Sequence, residues 1–161
     1  MNMPSDSVIL EALTEAIRSG RRVAVPVAGT SMGEPFRRAD AVVIQSAAAV
    51  RLFPGMIVVF QRDNRWIAHR AVWVYGRSSE YLCITKGDRI PALDRPFVRK
   101  EEGVGVVVEI RLGSRVWDLT SPASRVAGIW KVVIGLAKIP IFRLLRGRGL
   151  SGTSSRRGDP G

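Results

Sequence analysis

Residues 55–74 read GMIVVFQRDNRWIAHRAVWV, two apolar runs that flank the polar residues 62–65. Two runs rich in Val and Ile joined by a short polar turn are typical of a β-hairpin. Further short apolar runs, bounded by Gly, Pro, Asp or Asn, occur at residues 41–46, 81–85 and 103–112. No helical pattern separates these runs, which argues against parallel strands connected by helices. The sequence therefore predicts a mainly β domain over residues 21–118.

An amphipathic helix is predicted within the N-terminal segment, residues 1–20. One face of this helix carries three apolar side chains, Leu10, Leu13 and Ile17. After Gly20, which can end the helix, valine alternates with other residues at positions 23–27 and predicts the first strand. Pro26 has no backbone N–H to donate, so this strand is predicted to lie at a sheet edge.

The segment 119–147 returns to a helical period and predicts a C-terminal helix. Pro140 is expected to kink or end it. Basic and small residues share one narrow face, and apolar residues, Trp130 among them, cover the rest. Residues 148–161 are rich in Gly, Ser and Arg and are predicted to form a disordered basic tail.

The positive charge of the chain is concentrated near its C-terminus. The sequence has 25 Lys and Arg against 14 Asp and Glu, and residues 111–161 contain ten of the former and two of the latter. Such a segment favours an anionic partner. One interpretation lays the C-terminal helix on an anionic membrane surface, with Trp130 in lipid and Lys131 and Lys138 among headgroups. Alternatively, the helix packs on its own β domain or binds a partner protein. The sequence shows no helix-turn-helix pattern, which argues against a nucleic acid partner.

The remaining sequence features bear on the location of the protein in the cell and on its cofactors. Acidic residues interrupt the N-terminus, so it does not predict a signal peptide, and no apolar run predicts a transmembrane helix. We therefore expect a peripheral membrane protein or a cytoplasmic one. Cys83 is the only cysteine and lies in the apolar run YLCIT, which predicts a buried core residue. No cofactor and no metal site is predicted.

Residues 29–36, GTSMGEPF, contain the pattern G-x-S-x-G, which marks the nucleophile elbow of α/β-hydrolases. In that elbow a helix follows the serine directly, and the acid and then the histidine come later. Here a strand pattern follows Ser31, and the only histidine, His69, precedes the candidate acids Asp88 and Asp94. The context therefore argues against an elbow.

Four segments in order carry a different signal: GTSMGEPFRRAD (29–40), PGMIVVFQ (54–61), IAHRAV (67–72) and TKGDRIPALD (85–94). Together they resemble the signal peptidase I family of serine peptidases, which shares its fold with LexA-type repressors. The most similar subset is the type found in the endoplasmic reticulum and in some archaea and Gram-positive bacteria, where the general base is a histidine. The resemblance covers residues 23 to about 110, and Glu34 stands where the family has a proline.

The resemblance implies a role for each matched residue. Ser31 would be the nucleophile, His69 the base that takes its proton, and Asp94 the carboxylate that orients the histidine. The backbone N–H of Ser31, helped by Thr30, would stabilise the oxyanion. Asp88 would hold the local loop and remains a second candidate for orienting His69.

Alternatives stay open for several of these residues. Asp88 could hold its loop through Arg70 or Lys86, and Lys86 is also a rival base, as in Ser-Lys enzymes. Taken singly, Ser31 could be a loop serine, His69 a structural residue of a strand, and the two aspartates turn residues.

The resemblance implies a serine endopeptidase that removes a leader or signal segment from a protein or peptide precursor. The precursor could be a small ribosomal peptide instead of a secretory protein. The alternative function is a LexA-like or non-catalytic module that binds membrane or nucleic acid through its basic C-terminal segment.

Overall fold

The structure is a computed structural model that describes residues 6–63, 65–77 and 80–147. Its centre is an antiparallel sheet of eight strands in the order β1-β2-β7-β3-β4-β5-β6, with β8 paired to β7. The strands are β1 Val23–Pro26, β2 Ala41–Ser46, β3 Ile57–Arg62, β4 Arg65–Arg77, β5 Glu80–Lys86, β6 Val98–Arg99, β7 Gly103–Leu112 and β8 Arg115–Asp118. The helices are α1 Asp6–Arg18 and α2 Pro122–Gly147. The predicted mainly β fold with one helix at each end is confirmed.

The hairpin that links β3 and β4 forms where the sequence predicts it. Arg62 pairs with Arg65, so two residues connect the strands. One of them, Asp63, has a φ of 50°, in the left-handed region that aspartate tolerates better than most residues. Pro26 ends β1, the terminal strand of the sheet, and the predicted edge position is confirmed.

Apolar side chains pack on both faces of the sheet because strand residues alternate between faces. One cluster joins Ile17 of α1 to Phe36 and to β-strand residues such as Val42 and Val59. The other contains Phe60, Val98 and Cys83, which is fully buried. Burial, with a smaller contribution from the charge of Asp94, raises the pKa of the Cys83 thiol to about 12, so the thiol stays protonated at neutral pH. The prediction of a buried cysteine is confirmed.

The C-terminal helix, Pro122–Gly147, lies within the segment 119–147 that the sequence predicts as helical. It continues through Pro140 to Gly147, so the proline does not end it. A proline removes one hydrogen bond from the helix interior, at a cost of about 3 kcal/mol, and the other bonds of a 26-residue helix can offset that cost. Neither helix in the described ranges has a stretch long and apolar enough to cross a membrane. The predicted tail, residues 148–161, lies outside the described residues.

Candidate active site

The imidazole of His69 joins two of the predicted site residues. Its Nε2 atom lies 3.0 Å from Ser31 Oγ, and its Nδ1 atom lies 2.6 Å from Asp94 Oδ2. Serine, histidine and aspartate thus form one hydrogen-bonded chain, in the order that activates a serine hydroxyl. The His69 side chain is 8% exposed, so water has little access to the imidazole.

The loop between β1 and β2 places Ser31 next to His69. Met32, the next residue, is 2% exposed and anchors the loop in the core. The backbone N–H of Arg89 donates to the Ser31 carbonyl at 2.9 Å. Gly87 lets the parts of the site approach closely, because a Cβ there would lie 3.0 Å from the Ser31 carbonyl oxygen and 3.1 Å from His69 Nε2. A side chain at position 87 would therefore push against the imidazole of His69 and the backbone of Ser31.

The carboxylate of Asp94 is held by two donors. Its Oδ2 atom accepts from Thr85 Oγ1 at 2.7 Å as well as from His69, and its backbone N–H donates to the Thr85 carbonyl. Burial alone would raise the pKa of Asp94, but the hydrogen bonds from His69 and Thr85 and the charges of His69 and Arg62 hold it below its usual range. Asp94 therefore stays ionised at neutral pH and can fix the imidazole tautomer with its proton on Nδ1.

Asp88 does not contact His69 in the described structure. Arg70 donates to both of its carboxylate oxygens, from Nε at 2.7 Å and from a terminal nitrogen at 2.8 Å, and also donates to the Gly55 carbonyl at 2.7 Å. Because β4 residues alternate, Arg70 points away from the sheet face that carries His69. Of the two aspartates, Asp94 is the one hydrogen-bonded to His69, whereas Asp88 is paired with Arg70, one of the two partners predicted for it. The catalytic roles of both aspartates stay predictions.

Loss of the Arg70 guanidinium is expected to destabilise the whole domain. The side chains of Arg70 and Asp88 are only 8% and 12% exposed, so Arg70→Met would leave a buried carboxylate and the Gly55 carbonyl without their donors. We expect the free energy of unfolding at neutral pH to fall by about 3–5 kcal/mol, measured by urea denaturation. Arg111→Met is the matched control, since the Arg111–Glu109 pair is far more exposed, and it should cost less than about 1 kcal/mol.

The Arg70–Asp88 pair also predicts how this loss of stability depends on pH. Burial alone would raise the pKa of Asp88, but the hydrogen bonds and charge of Arg70, with Lys131, hold it below its usual range. A depressed carboxyl pKa stabilises the folded state above the unfolded-state pKa and ceases to do so as the pH falls through the folded-state pKa. The gap between wild type and Arg70→Met should therefore narrow as the pH is lowered through the acidic range. A gap that widens, or equal losses for Arg70→Met and Arg111→Met, would refute the role assigned to this pair.

Lys86 does not lie where it could act as the base for Ser31. Its ammonium donates to the Gly87 carbonyl at 3.0 Å, and Lys86 pairs with Arg70 across β4 and β5, on the sheet face opposite His69. Burial lowers the pKa of this ammonium, with Lys138 contributing in the same direction. The imidazole, and not this amine, contacts the Ser31 hydroxyl.

The helix α2 packs on the β domain with its narrow face of small and basic residues. Gly128 lies against Gly55 so closely that a Cβ on it would be 2.7 Å from the Gly55 carbonyl oxygen. Lys131 donates to the Glu34 carbonyl at 2.8 Å and lies 4.0 Å from Asp88 Oδ2. The expectation that Lys131 points into lipid headgroups is therefore wrong, because the buried glycines turn this face toward the domain. Trp130 lies on the opposite side and is 62% exposed.

An apolar cavity of about 290 Å³ lies beside the Ser31 loop. It opens between α1 and the sheet, where Ala28 and Phe36 belong to the same loop as Ser31. Its other walls include aliphatic and aromatic side chains of both elements, among them Leu10, Leu13, Val25, Trp66 and Ala68. This cavity is suited to apolar side chains held near the serine.

The structure adds residues that the sequence does not assign. Thr85 and Gly87 belong to the TKGD segment, so a role for them in the site could have been inferred from that segment. The contact of Lys131 with the Glu34 carbonyl has no corresponding signal in the sequence. The oxyanion role of the Ser31 amide and of Thr30 stays a prediction; Thr30 accepts from Arg89 through its carbonyl at 3.4 Å.

No family model, curated protein or solved structure matches this chain. Within the described ranges, His, Cys, Asp and Glu side chains form no group of three or more that could hold a metal ion. The function proposed below therefore depends on the geometry of the site and on the sequence resemblance.

Proposed function

We propose that this protein is a serine endopeptidase in which Ser31 is the nucleophile, His69 the general base and Asp94 the residue that orients His69. The observation that carries the proposal is the continuous hydrogen-bonded chain from Ser31 Oγ through the imidazole to Asp94. A serine hydroxyl becomes an effective nucleophile when an adjacent base can take its proton, and this arrangement supplies that base.

The candidate site contains a chemical group for each step of peptide hydrolysis. Ser31 Oγ would attack the scissile carbonyl while His69 Nε2 takes its proton and then gives it to the leaving amine. A water molecule, activated in turn by His69, would release the acyl group from Ser31. The backbone N–H of Ser31 and the Thr30 segment would stabilise the negative oxygen of the tetrahedral intermediate.

The surroundings of Ser31 favour an extended peptide with apolar side chains as the substrate. β1 leads directly toward Ser31 and is the terminal strand of the sheet, so a peptide could add beside it by β-augmentation. Alternate side chains of such a peptide would point toward the apolar cavity. The resemblance to signal peptidase I suggests that the peptide is a leader or signal segment of a precursor.

The test is cleavage of a panel of cellular precursor peptides, with new termini identified by mass spectrometry. We expect wild type to cut at discrete positions and Ser31→Ala to produce none of these cuts. Ser19→Ala is the matched control, since Ser19 is an exposed serine that bonds the carbonyl of Ala16 at the end of α1. Identical products from wild type and Ser31→Ala would contradict the proposal and favour a non-catalytic binding module.

Lys131 is expected to position the nucleophile loop. Its ammonium donates to the Glu34 carbonyl, three residues after Ser31, and so links α2 to that loop. We expect Lys131→Met to lower kcat by about 3- to 30-fold with little change in KM, since misplacement of a reacting group by a fraction of an ångström slows the chemical step. Steady-state kinetics on one cleaved peptide would measure this.

Two variants separate positioning from a general effect of charge. Lys131→Arg should recover part of kcat, because a guanidinium can also donate to the carbonyl. Lys138→Met removes an exposed cation from the same helix and should leave kcat unchanged. If Lys131→Met and Lys138→Met had equal effects, the loop would not depend on this contact.

A further inference from the structure

The outer face of α2, the side turned away from the β domain, is apolar and exposed in the part of the chain that the structure describes. Six large apolar side chains there are between 38% and 62% exposed: Val126, Ile129, Trp130, Val133, Ile134 and Leu136. The helix side that meets the domain carries instead the buried Gly128 and Gly135. A surface helix of a globular protein normally turns its apolar stripe toward the core, so α2 has the reverse arrangement.

Two exposed aromatic residues of β4 lie on the sheet face on which α2 packs. Trp73 and Tyr75 are 54% and 58% exposed, and their ring centroids are 6.0 Å apart. They pair with Ile84 and Leu82, which alternate with Lys86 on β5, so they lie on the sheet face that carries Lys86. That is the face on which α2 packs, because a Cβ at Gly135 would lie 3.4 Å from Lys86 Nζ.

The charges in the segment of sequence that contains this helix are almost all positive. From residue 122 onward the sequence contains eight basic residues and one acidic residue. Two copies of the chain that met through the outer face of α2 would bring these like charges together, which disfavours self-association. An anionic lipid surface offers both complementary charge and an apolar layer for Trp130 and its neighbours.

We propose that the outer face of α2 docks onto the surface of an anionic lipid bilayer, with the helix axis parallel to the membrane plane. The apolar side chains enter the boundary between headgroups and acyl chains, and Trp73 and Tyr75 lie at headgroup depth, where aromatic side chains are enriched. The buried glycine face keeps the β domain attached to the helix on its aqueous side. The candidate active site is thereby held at the bilayer surface.

The test is flotation of the full-length protein with vesicles of phosphatidylcholine and phosphatidylglycerol, compared with vesicles of phosphatidylcholine alone. We expect binding to the mixed vesicles that weakens as salt is added, because salt screens the electrostatic part of the attraction. Trp130→Ser combined with Ile134→Ser should weaken binding at least about 30-fold, since two large apolar side chains no longer enter lipid.

The matched control is Val8→Ser combined with Ile9→Ser, which removes two exposed apolar side chains from α1. This control should bind like wild type. Equal binding of the control and of the Trp130/Ile134 double variant, or no binding by wild type, would overturn the proposal. Sedimentation velocity without lipid distinguishes the remaining case: a wild-type dimer that the Trp130/Ile134 variant dissociates would show that a second copy covers this face. Because vesicle binding requires no cleavage, this result is independent of the peptidase test.

Discussion

His69→Ala is expected to lower kcat/KM for a cleaved peptide by about 10⁴- to 10⁶-fold. The imidazole is the group within hydrogen-bond distance of Ser31 Oγ that can take up its proton, at 3.0 Å. Without it, the hydroxyl must lose its proton to water at the moment of attack, and the leaving amine receives no proton from the enzyme. Initial rates measured with a fluorogenic version of the best substrate from the precursor panel can detect a loss of activity of this size.

A double variant distinguishes a catalytic pair from two residues with separate effects. If Ser31 and His69 act as a unit, Ser31→Ala combined with His69→Ala should lose no more activity than either change alone. Circular dichroism and urea denaturation must show that both single variants remain folded. If the double variant lost activity by the product of the two single-variant factors, the two residues would not act in one proton-transfer step.

Asp94→Asn is expected to lower kcat by about 10²- to 10⁴-fold while the domain stays folded. The carboxylate accepts from His69 Nδ1 at 2.6 Å and so keeps the proton off Nε2, the atom that takes the Ser31 proton in the proposed mechanism. An asparagine can present its NH₂ group to Nδ1 instead and favour the tautomer with the proton on Nε2. That tautomer cannot accept the serine proton.

Thr85→Val is the matched control for Asp94→Asn. It removes the other donor to Asp94 Oδ2 without changing the side-chain shape much, and it leaves the carboxylate on His69. Loss of a hydrogen bond to a charged group is worth about 1.5–3 kcal/mol of stability. Because Asp94 keeps its charge and its bond to His69 throughout the reaction, most of this loss applies to ground state and transition state alike, and kcat should fall less than about tenfold. If the kcat of Asp94→Asn were no lower than that of Thr85→Val, the carboxylate would not control the histidine tautomer.

The strands and the order of the site residues follow from local sequence signals. Runs of Val and Ile bounded by turn residues predict the strands, and the Ser31, His69 and Asp94 segments occur in the order that the family resemblance requires. Residues that the chemistry itself demands can be identified in this way, since their types are nearly fixed. The geometry that joins them depends on strand register, which a single sequence specifies only through its alternation of apolar residues.

The position of α2 could not be predicted in the same way. Helical periodicity shows that Gly128, Lys131 and Gly135 share a face, but not whether that face meets lipid, water or protein. The deciding contact is with Gly55, whose φ of 97° suits glycine and whose carbonyl is held by Arg70. Contacts between segments so distant in the chain depend on the tertiary structure, and this is why the expected direction of Lys131 was wrong.

The adjacency of His69 and Arg70 on β4 limits which insertions the chain can accept. One extra residue between the hairpin turn and His69 would turn both side chains to the opposite faces of the strand. The imidazole would then take the position of the guanidinium beside Asp88, and Ala68 would take the position beside Asp94. Two extra residues would restore the faces but displace both side chains by about 7 Å along the strand. The length of the segment from residue 65 to residue 69 should therefore be invariant in any functional variant selected from a library of insertions and deletions.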